Sequence, residues 1–439
     1  MKVDTYILVY LSKMVALDMK RGIIRNAFLA LLRISKKIID SPEYLQESKM
    51  DPEDFTRRRK MPFPDLIRFM LTRRKGSTQN ELERFFDLMD MERNMTQQAF
   101  SEARLKIKDS AFSRLFYATV ECAYEGHYDT WNGYRVLTID GSKIALPDIE
   151  LLGQIYGTMG ADSSSPTAQA SVCYDVLNRY VVDALIEPLS KDERTLALEH
   201  VKNLEKGVRL EKELVVCDRG YISFCFVRSL AEAGITSLMR VKRGFNSDID
   251  AQTEADGTVV LRKTGYPDMP VRVVKFLLPT GETETLATTL WEPSLTVDDF
   301  KALYFLRWKV ETRFDEVKNK LEIENFTGNS VLAVRQDFYA TMYMTNMASA
   351  AWWDAQNIVV SERENKNNKY EYQVNVNHEI GILKDRLIFA LTLPNPSAEV
   401  EKILICLAKR VCPVKPGRSC KRNKSPRNSK FHSNMRSNC

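Results

Sequence analysis

At 439 residues the chain is long enough for two or three domains, and 44% hydrophobic with 10% aromatic residues is typical of a globular protein. Its eight cysteines include no C-x-x-C pair, and its four histidines are scattered, which argues against a disulfide framework and against a His-rich zinc site. The apolar stretch 6–17 is short and lacks a small-residue cleavage site. We therefore expect no signal peptide, no membrane span and a cytoplasmic location.

The basic residues are concentrated at the C-terminus. Residues 409–439 contain ten Lys and Arg and no Asp or Glu, although the net charge of the whole chain is only +6. Pro, Ser and Asn accompany these charges, which predicts a tail that is disordered when alone. A polyanion such as DNA is the expected partner, because attraction to phosphates needs no fold. The alternative is a solubilising tail.

Residues 1–130 are predicted to be a helical domain. Thr78 and Glu81 have the spacing of a capping box, and a second helix is predicted to open at Thr96. Two short helices with a polar link suggest a helix-turn-helix-like unit that contacts DNA. Any helical bundle contains such pairs, so a packing role is the alternative. The residues that would face a groove are Gln97, Gln98, Ser101, Arg104 and Lys108.

Residues 131–241 predict an α/β unit with the order β-β-β-α-β-α-β. The strands at 134–140 and 213–218 each end in an acid, Asp140 and Asp218. A Gly/Ser-containing loop is predicted from Gly141 to about Thr167, followed by a hairpin at 168–187. Carboxyl ends of strands are where α/β sheets build their sites. A single Asp at such a place is more often a turn residue or a helix cap.

The second half of this unit is predicted to follow an insertion. Residues 242–285 alternate strand and turn signals, which predicts a β-rich insertion, and the chain should return to the core sheet over 286–408. Within that range we expect a buried helix at 330–355, a polar surface loop at 362–376 and a last helix at about 398–409.

One stretch, from Thr296 to Glu324, predicts an amphipathic helix with a capping residue at Thr296. Tyr304, Arg307, Glu311 and Lys318 recur in it at steps of 3, 4 and 7. At roughly 100° per residue these four fall within about 60° of arc, beside the apolar stripe, as in a helix that lines a cleft. The alternative is a salt-bridged helix flank in which Arg307 pairs with Glu311.

Three acids without histidine or cysteine suit hard cations such as Mg²⁺ or Mn²⁺. Two such ions could activate a water or a 3′-hydroxyl and stabilise the leaving oxygen of a phosphodiester, and cations and a phenol nearby could hold phosphates. A glycosidase would need only two acids and a sugar-binding cleft, which would leave the cationic column and the basic tail unexplained.

The pattern resembles the DDE transposases of the IS-four group of bacterial insertion sequences. Tyr304-x2-Arg307-x3-Glu311-x6-Lys318 matches the YREK signature of that group, and the IDGS around Asp140 and the DRGY from Asp218 look like the settings of its two catalytic aspartates. The resemblance covers roughly residues 60–430. It implies an α/β fold with a ribonuclease-H-like catalytic core that carries a β-rich insertion and follows a helical N-terminal domain.

The resemblance also implies roles for these residues. Asp140, Asp218 and Glu311 would be catalytic and bind two Mg²⁺ or Mn²⁺ ions, and Tyr304, Arg307 and Lys318 would contact DNA phosphates. The expected partners are terminal inverted repeats and target DNA, held by a homodimer in a synaptic complex near the bacterial nucleoid. Some relatives stack a flipped base on a Trp shortly before the YREK helix. The corresponding place here, near Thr283, has no Trp, and Trp291 is the nearest.

Three functions remain open from the sequence. The first is an active cut-and-paste transposase. The second is a catalytically silent or repurposed protein that binds DNA ends, and the third is a related nuclease that cuts without joining. Metal-dependent turnover separates the first from the second, and joining of cut ends to a target separates the first from the third.

Overall fold

One central β-sheet with helices around it makes up the mixed α/β fold. The computed structural model describes residues 26–57, 60–73, 76–91, 95–160, 164–278, 281–364, 366 and 368–415. Most of the basic tail lies outside the described residues. Within the described part of the chain, no helix is both long enough and apolar enough to cross a membrane.

The strands predicted within residues 131–241 all join one sheet. The five strands are β1 (Arg135–Ala145), β3 (Ser165–Asp175), β4 (Val181–Pro188), β5 (Glu213–Cys217) and β6 (Thr236–Arg240), and a short strand β2 (Thr158–Met159) precedes β3. A hairpin of β3 and β4 pairs antiparallel with β1, and β5 and β6 continue the sheet parallel to β1. The order β4-β3-β1-β5-β6 therefore places β1 at the centre, between an antiparallel half and a parallel half.

Strand β1 is longer than predicted. It was expected to end at Asp140, but it continues to Ala145, because its antiparallel pairing with β3 extends from Leu137 to Ala145. Its parallel pairing with β5 stops at Thr138. Asp140 therefore lies inside a strand, at the place where one of the two neighbouring strands has ended.

The segment between β1 and β3 is not the predicted loop. It contains the helix α7 (Glu150–Tyr156) and the short strand β2, which pairs with the start of β3. The helix buries Leu152 and Tyr156 against the sheet. The Gly and Ser residues of this segment suggested a loop, but the apolar side chains of a short helix decide its structure.

The predicted β-rich insertion extends the central sheet. Its strands β7 (Asp256–Leu261), β8 (Met269–Leu277) and β9 (Thr283–Thr288) pair antiparallel in that order, and β9 pairs with β6. The return of the chain to the sheet edge was predicted, but the insertion was not expected to share the sheet. A short helix, α10 (Ser247–Ala251), precedes β7.

The described residues between 26 and 125 form six helices. The helix predicted at Thr96 begins there, because the Thr96 side chain accepts the amide N–H of Ala99. Thr78, predicted as a cap, is instead the first residue of its helix, and its hydroxyl accepts a hydrogen bond from Arg73. The helices of this region are α1 (Ala27–Ile39), α2 (Pro42–Ser48), α3 (Phe63–Leu71), α4 (Thr78–Leu88), α5 (Gln97–Arg104) and α6 (Ser110–Glu125).

A long central helix joins the N-terminal helices to the sheet. Helix α13 (Val331–Arg363) packs on α6, α1 and β4, and most of its side chains are buried. The predicted buried helix was therefore placed correctly, but the observed one is longer. The other helices are α8 (Glu193–Lys206), α9 (Phe224–Glu232), α11 (Val297–Phe305), α12 (Trp308–Asn319), α14 (Val376–Thr392) and α15 (Ser397–Ala408).

Two elements after α13 were not expected. Helix α14 follows the polar loop, and the strands β10 (Glu371–Val374) and β11 (Val411–Val414) form a two-stranded sheet. The first residues of the basic tail are therefore ordered by pairing with β10, which corrects the prediction of disorder for that part. Residues 416–439 lie outside the described residues.

Glu379, near the start of α14, gives the fold a predicted pH dependence. Burial, together with the charge of Glu316, raises its pKa to about 8, against the opposing effect of Arg179 and Arg313. Unfolding lowers this pKa to its ordinary value, so the free energy of unfolding decreases as pH rises between these two values, by up to about 1.4 kcal/mol per pH unit.

We expect Glu379→Gln to abolish this slope. The variant should gain stability relative to the wild type as pH increases from 5 to 8, because its amide is never ionised. Urea unfolding of both proteins at pH 5, 6.5 and 8 measures the difference. A difference that stays constant with pH would contradict the assignment.

Candidate active site at the β1–β5 edge

Two aspartates meet where β5 ends beside β1. Thr138 of β1 pairs with Val216 of β5, so Asp140 lies level with Asp218, which directly follows β5. Neighbouring strands are about 4.8 Å apart. Both side chains are half-buried. The parallel register therefore brings the two predicted acids together, although they are far apart in sequence.

The predicted helix that carries the third acid is divided in two. Helix α11 begins at Thr296 with the expected cap and a full capping box with Asp299. It ends at Phe305, and α12 begins at Trp308. Leu306 and Arg307 remain right-handed, but their amide N–H groups bond to carbonyls three residues back, at Leu303 and Tyr304. The backbone at Arg307 therefore forms one turn of the tighter 3₁₀ type, and the chain does not reverse its direction there.

The four residues of the YREK pattern contact different parts of the site. The Tyr304 hydroxyl donates to Asp218 Oδ1 at 3.3 Å, and Arg307 donates to Glu311 Oε1 at 3.2 Å. Lys318 donates from Nζ to the Lys143 carbonyl at 2.6 Å and lies 3.8 Å from Glu324. The structure thus brings Tyr304 to the end of β5 and Lys318 to β1, and it also contains the Arg307–Glu311 pair expected of a helix flank.

Arg307 is the positive centre of this cluster. Burial opposes its charge, but Tyr304, Asp218, Glu311 and Asp140 together raise its pKa above the ordinary value. Only 6% of the residue is exposed, and its Nε has no hydrogen-bond partner among the described residues. A buried cation that interacts with all three acids indicates that they surround one small volume.

Asp140 is an acid of this cluster with a raised pKa. Burial is the main cause that raises its pKa to about 6; the Gly141 N–H and Arg307 oppose this shift, and the charges of Glu311 and Glu193 add to it. The Gly141 N–H donates to Asp140 Oδ1 at 3.0 Å. A carboxylate with a raised pKa at a cluster of charges is typical of functional sites.

Sequence reasoning missed three neighbours of Asp140. A Cβ built on Gly141 would lie 2.8 Å from Gln169 Nε2 and 3.2 Å from Glu193 Oε1, so both side chains lie against this backbone. Tyr221 is buried, and its pKa is raised by burial and then by Asp140 and Glu193. The DRGY motif contains Tyr221 and could have indicated it. Gln169 and Glu193 are brought in by the fold and have no local signal.

The predicted DNA-reading residues Gln98, Lys108 and Arg104 differ in their exposure to solvent. Gln98 is exposed, and Lys108 is half-buried with its Nζ on the Glu47 carbonyl. Arg104 is only 4% exposed and donates to Gln336, Thr327, the Ala333 carbonyl and Asp337. The prediction that Arg104 faces a groove is therefore wrong, since its guanidinium is used to join α5 to α13.

The donor chemistry of the three acids suits a hard divalent cation, but their arrangement does not close around one. Among the described residues, no group of three or more His, Cys, Asp or Glu side chains is placed to hold a metal ion. Glu311 is held by Arg307 instead. Binding of Mg²⁺ or Mn²⁺ would require the Glu311 carboxylate to turn from Arg307 toward the two aspartates.

The candidate site lies within a region that matches a known protein family. Residues 131–347 match the model of the family described as transposase DDE domain, a range that contains Asp140, Asp218 and Glu311. The match supports the interpretation of this chain as a DDE transposase. The chain is also 26% identical over 139 residues to the putative transposase y4zB of Sinorhizobium fredii, across 29% of this chain and 39% of that relative. It therefore spans about two fifths of the relative's length.

A solved structure is similar in outline. The piggyBac transposase, in a synaptic complex with hairpin DNA, is 12% identical with a TM-score of 0.46, over 85% of this chain and 84% of that one. The range matched by the family model contains the sheet and the helices that carry the three acids, whereas the N-terminal helices lie outside it.

Replacement of Asp140 should stabilise the metal-free protein. The raised pKa means that ionised Asp140 costs free energy in the folded state, so stability is lost as pH rises from the ordinary pKa of Asp to about 6. Asp140→Asn should therefore increase the free energy of unfolding at pH 7.5 by about 1–3 kcal/mol. Thermal melting of both proteins in EDTA measures this difference in stability. If Asp140→Asn is stabilised as much at pH 4 as at pH 7.5, the cause is not the charge of Asp140.

Proposed function

We propose that this protein is the DNA transposase of an insertion sequence of the IS-four group. Its reaction would be metal-dependent cleavage of phosphodiesters at the element ends, followed by attack of the freed 3′-hydroxyl on target DNA. The observation that carries the proposal is the convergence of Asp140, Asp218 and Glu311 on one buried arginine within a matched transposase DDE domain.

The strand order supports a ribonuclease-H-like core. Three antiparallel strands, β4-β3-β1, continue into two strands parallel to β1, and the acids lie at the central strand, at the end of its parallel neighbour and on a helix packed against β1. The β-rich insertion lies between the second and third acid, as in the resembling group.

The three acids would bind two Mg²⁺ or Mn²⁺ ions, which supply a Lewis acid and activate the attacking oxygen. Asp140 and Asp218 lie on neighbouring strands, and Glu311 on α12 would have to exchange Arg307 for the metal to join them. The pKa of Asp140, raised to about 6, still leaves it mostly ionised at pH 7.5, as a ligand must be.

The remaining residues of the pattern would position DNA. Lys318 is half-buried and lies over the carbonyl of Lys143, three residues beyond Asp140 in β1, where its ammonium could reach a phosphate. A phosphate oxygen could replace Glu311 as the partner of Arg307, since guanidinium groups bind phosphates as they bind carboxylates. Tyr304 would keep Asp218 oriented through its hydroxyl.

The expected partner is double-stranded DNA, both the terminal inverted repeats and the target, bound by a homodimer near the bacterial nucleoid. Gln98 and Lys108 remain the candidates for contact by the N-terminal helices. The basic residues after 409 would add attraction to phosphates that is independent of sequence and decreases with salt.

A joining assay tests the strand-transfer step. Short DNA with the element's end sequence and a free 3′-hydroxyl is incubated with the protein, Mg²⁺ and a supercoiled plasmid, beside the same DNA with a 3′-deoxy end. We expect joint molecules only with the 3′-hydroxyl. Cutting without joining would indicate a nuclease, and binding without either would indicate a repurposed DNA-end-binding protein.

A further inference from the structure

Positive charge gathers around the two-stranded sheet of β10 and β11. The chain from 363 to 374 and from 409 to 415 contains six Lys and Arg but only two acids, Glu364 and Glu371. None of the six takes part in an ion pair with an acid among the described residues. Five of them are exposed, and Arg363 is half-buried. We call this surface the basic ribbon, and its cations are Arg363, Lys366, Lys369, Lys409, Arg410 and Lys415.

The basic ribbon is fixed to the long helix α13. Gln356 of α13 donates from Nε2 to the Tyr372 carbonyl at 2.8 Å, and its Oε1 accepts the Val374 N–H at 2.9 Å. Trp352 Nε1 donates to the Val374 carbonyl at 3.4 Å, and Val374 is buried. β11 is held in turn by its pairing with β10. A backbone that is fixed before binding loses little conformational entropy when it contacts a partner.

Two tyrosines bring cations of both segments together. The Nζ atoms of Lys369 and Lys415 lie 5.5 and 5.9 Å from the centroid of the Tyr370 ring. The Arg363 guanidinium lies 4.8 Å from the centroid of the Tyr372 ring. A cation over a ring uses none of its N–H groups as hydrogen-bond donors, whereas a carboxylate partner would occupy them. The ring contacts therefore orient these cations and leave their donors for an anion.

The basic ribbon is long enough for several phosphates of one DNA strand. β10 and β11 have four residues each, which span about 13 Å at about 3.3 Å per residue. Lys409 and Arg410 directly precede β11 and Lys415 directly follows it, so cations lie at both ends. Phosphates of one strand are spaced about 3.4 Å apart along the axis of B-DNA. The two ends could therefore contact phosphates about four positions apart.

The basic ribbon lies beside the helix that carries Glu311. Gln373 of β10 and Lys309 of α12 line one cleft of about 210 Å³, whose other cations and acids nearly balance. Lys309 is half-buried and extends the positive surface from the ribbon to α12. DNA that is held on the ribbon would therefore pass beside α12.

We propose that the basic ribbon is a DNA-binding surface outside the candidate active site, and that it binds the phosphate backbone of duplex DNA irrespective of base sequence. The proposal rests on the proposed function for the choice of DNA, since an acidic membrane surface also attracts exposed Lys and Arg. Half of the cations precede residue 370 and so lie outside the basic tail. Exposed cations without acidic partners favour phosphate contacts, whose strength comes from the release of counterions.

The triple variant Lys366→Gln/Lys369→Gln/Lys415→Gln tests the proposal. The three lysines are exposed, so their replacement should leave the fold unchanged while it removes three phosphate contacts. We expect the slope of log K for duplex binding against log[KCl] to become shallower by about 2–3, and the affinity at about 0.1 M KCl to fall at least about 10-fold. The full chain is titrated in EDTA into a fluorescent duplex of about 30 base pairs with arbitrary sequence, so that anisotropy reports sequence-independent contacts.

The matched control is Lys202→Gln/Lys206→Gln/Lys212→Gln. These lysines are also exposed, but acids alternate with them along the chain. The control variant loses the same three charges as the ribbon variant, so a difference between the two reports where the charges lie. We expect the control variant to change the slope by less than about 1.

Glu371→Gln gives a prediction of the opposite sign. Glu371 is the exposed acid of β10 and lies opposite Val414 of β11. Removal of its negative charge should strengthen duplex binding by about 2-fold, because charges of one sign repel each other even in water. Glu205→Gln, at an exposed position of α8, should leave duplex binding unchanged in the same titration.

The outcomes separate the two proposals. If the wild type does not bind duplex DNA, the proposed function fails together with the ribbon. If the wild type binds and the ribbon variant has the slope of the control variant, the ribbon is not a DNA-binding surface and the proposed function stands. If the ribbon variant keeps its DNA binding but loses binding to vesicles that contain phosphatidylserine, the ribbon binds acidic lipid instead. Melting temperatures of all variants establish that they are folded.

Discussion

Glu311→Gln should reduce DNA cleavage at least about 1,000-fold while the protein still binds DNA, a loss of about 4 kcal/mol of transition-state stabilisation. The amide keeps the size of the carboxylate and can still accept from Arg307, so α12 should remain in place. It removes the negative charge that a hard cation requires as a ligand.

Glu292→Gln is the matched control for this experiment. Glu292 is exposed and lies before α11, away from β1 and β5, so the same change of chemistry should leave cleavage unaffected. Gel shift at fixed salt measures DNA binding for both variants. If Glu311→Gln cleaves like the wild type, Glu311 is not the third acid, and its pairing with Arg307 is only a helix-flank salt bridge.

Arg104→Ala should destabilise the fold by about 3–5 kcal/mol, the cost of breaking a buried ion pair from one side. The substitution leaves Asp337 buried without its cation and removes the donors to Gln336 and Thr327. Urea unfolding measures this loss. At low temperature the folded variant should bind DNA as the wild type does, because the guanidinium does not reach the surface.

The control for Arg104 is Gln98, on the same helix. Gln98 is exposed, and its side chain donates to Glu102 one turn along the same helix. Gln98→Ala should therefore leave stability unchanged and weaken DNA binding if α5 reads DNA. If Arg104→Ala is as stable as the wild type but has lost DNA binding, the sequence-based assignment of Arg104 would be right after all.

The three candidate acids could be selected from the sequence because each signal is local. An acid directly after an apolar strand, and Glu311 at fixed steps from Tyr304, Arg307 and Lys318, are visible in single segments of sequence. Their meeting follows from the parallel pairing of β1 with β5, which the alternation of strands and helices predicts.

The break between α11 and α12 could not be predicted from the same pattern. Leu306 and Arg307 have no helix-breaking side chain, and the tightening consists of backbone bonds back to Leu303 and Tyr304. The periodicity of apolar residues is the same for one helix or two. Only the contacts of Tyr304 with Asp218 and of Arg307 with Glu311 show how the segment is placed.

Long-range contacts account for most of the other differences. Arg104 meets Asp337 across 233 positions of the chain, and no local signal distinguishes a buried arginine from one that faces DNA. The same holds for His200, which reaches Asp183 and Ser171 only through the packing of α8 on β3 and β4. A scattered histidine gave no reason to expect these contacts.

The most direct test of the central claim uses the DNA that flanks the gene as an end-labelled substrate. The protein is incubated with it in Mg²⁺ and in EDTA, beside Asp218→Asn. Cutting at the tips of a short inverted repeat, only with Mg²⁺ and only with Asp218 intact, is the predicted result. Binding without cutting in Mg²⁺, or cutting that survives in Asp218→Asn, would contradict a DDE transposase site at the β1–β5 edge.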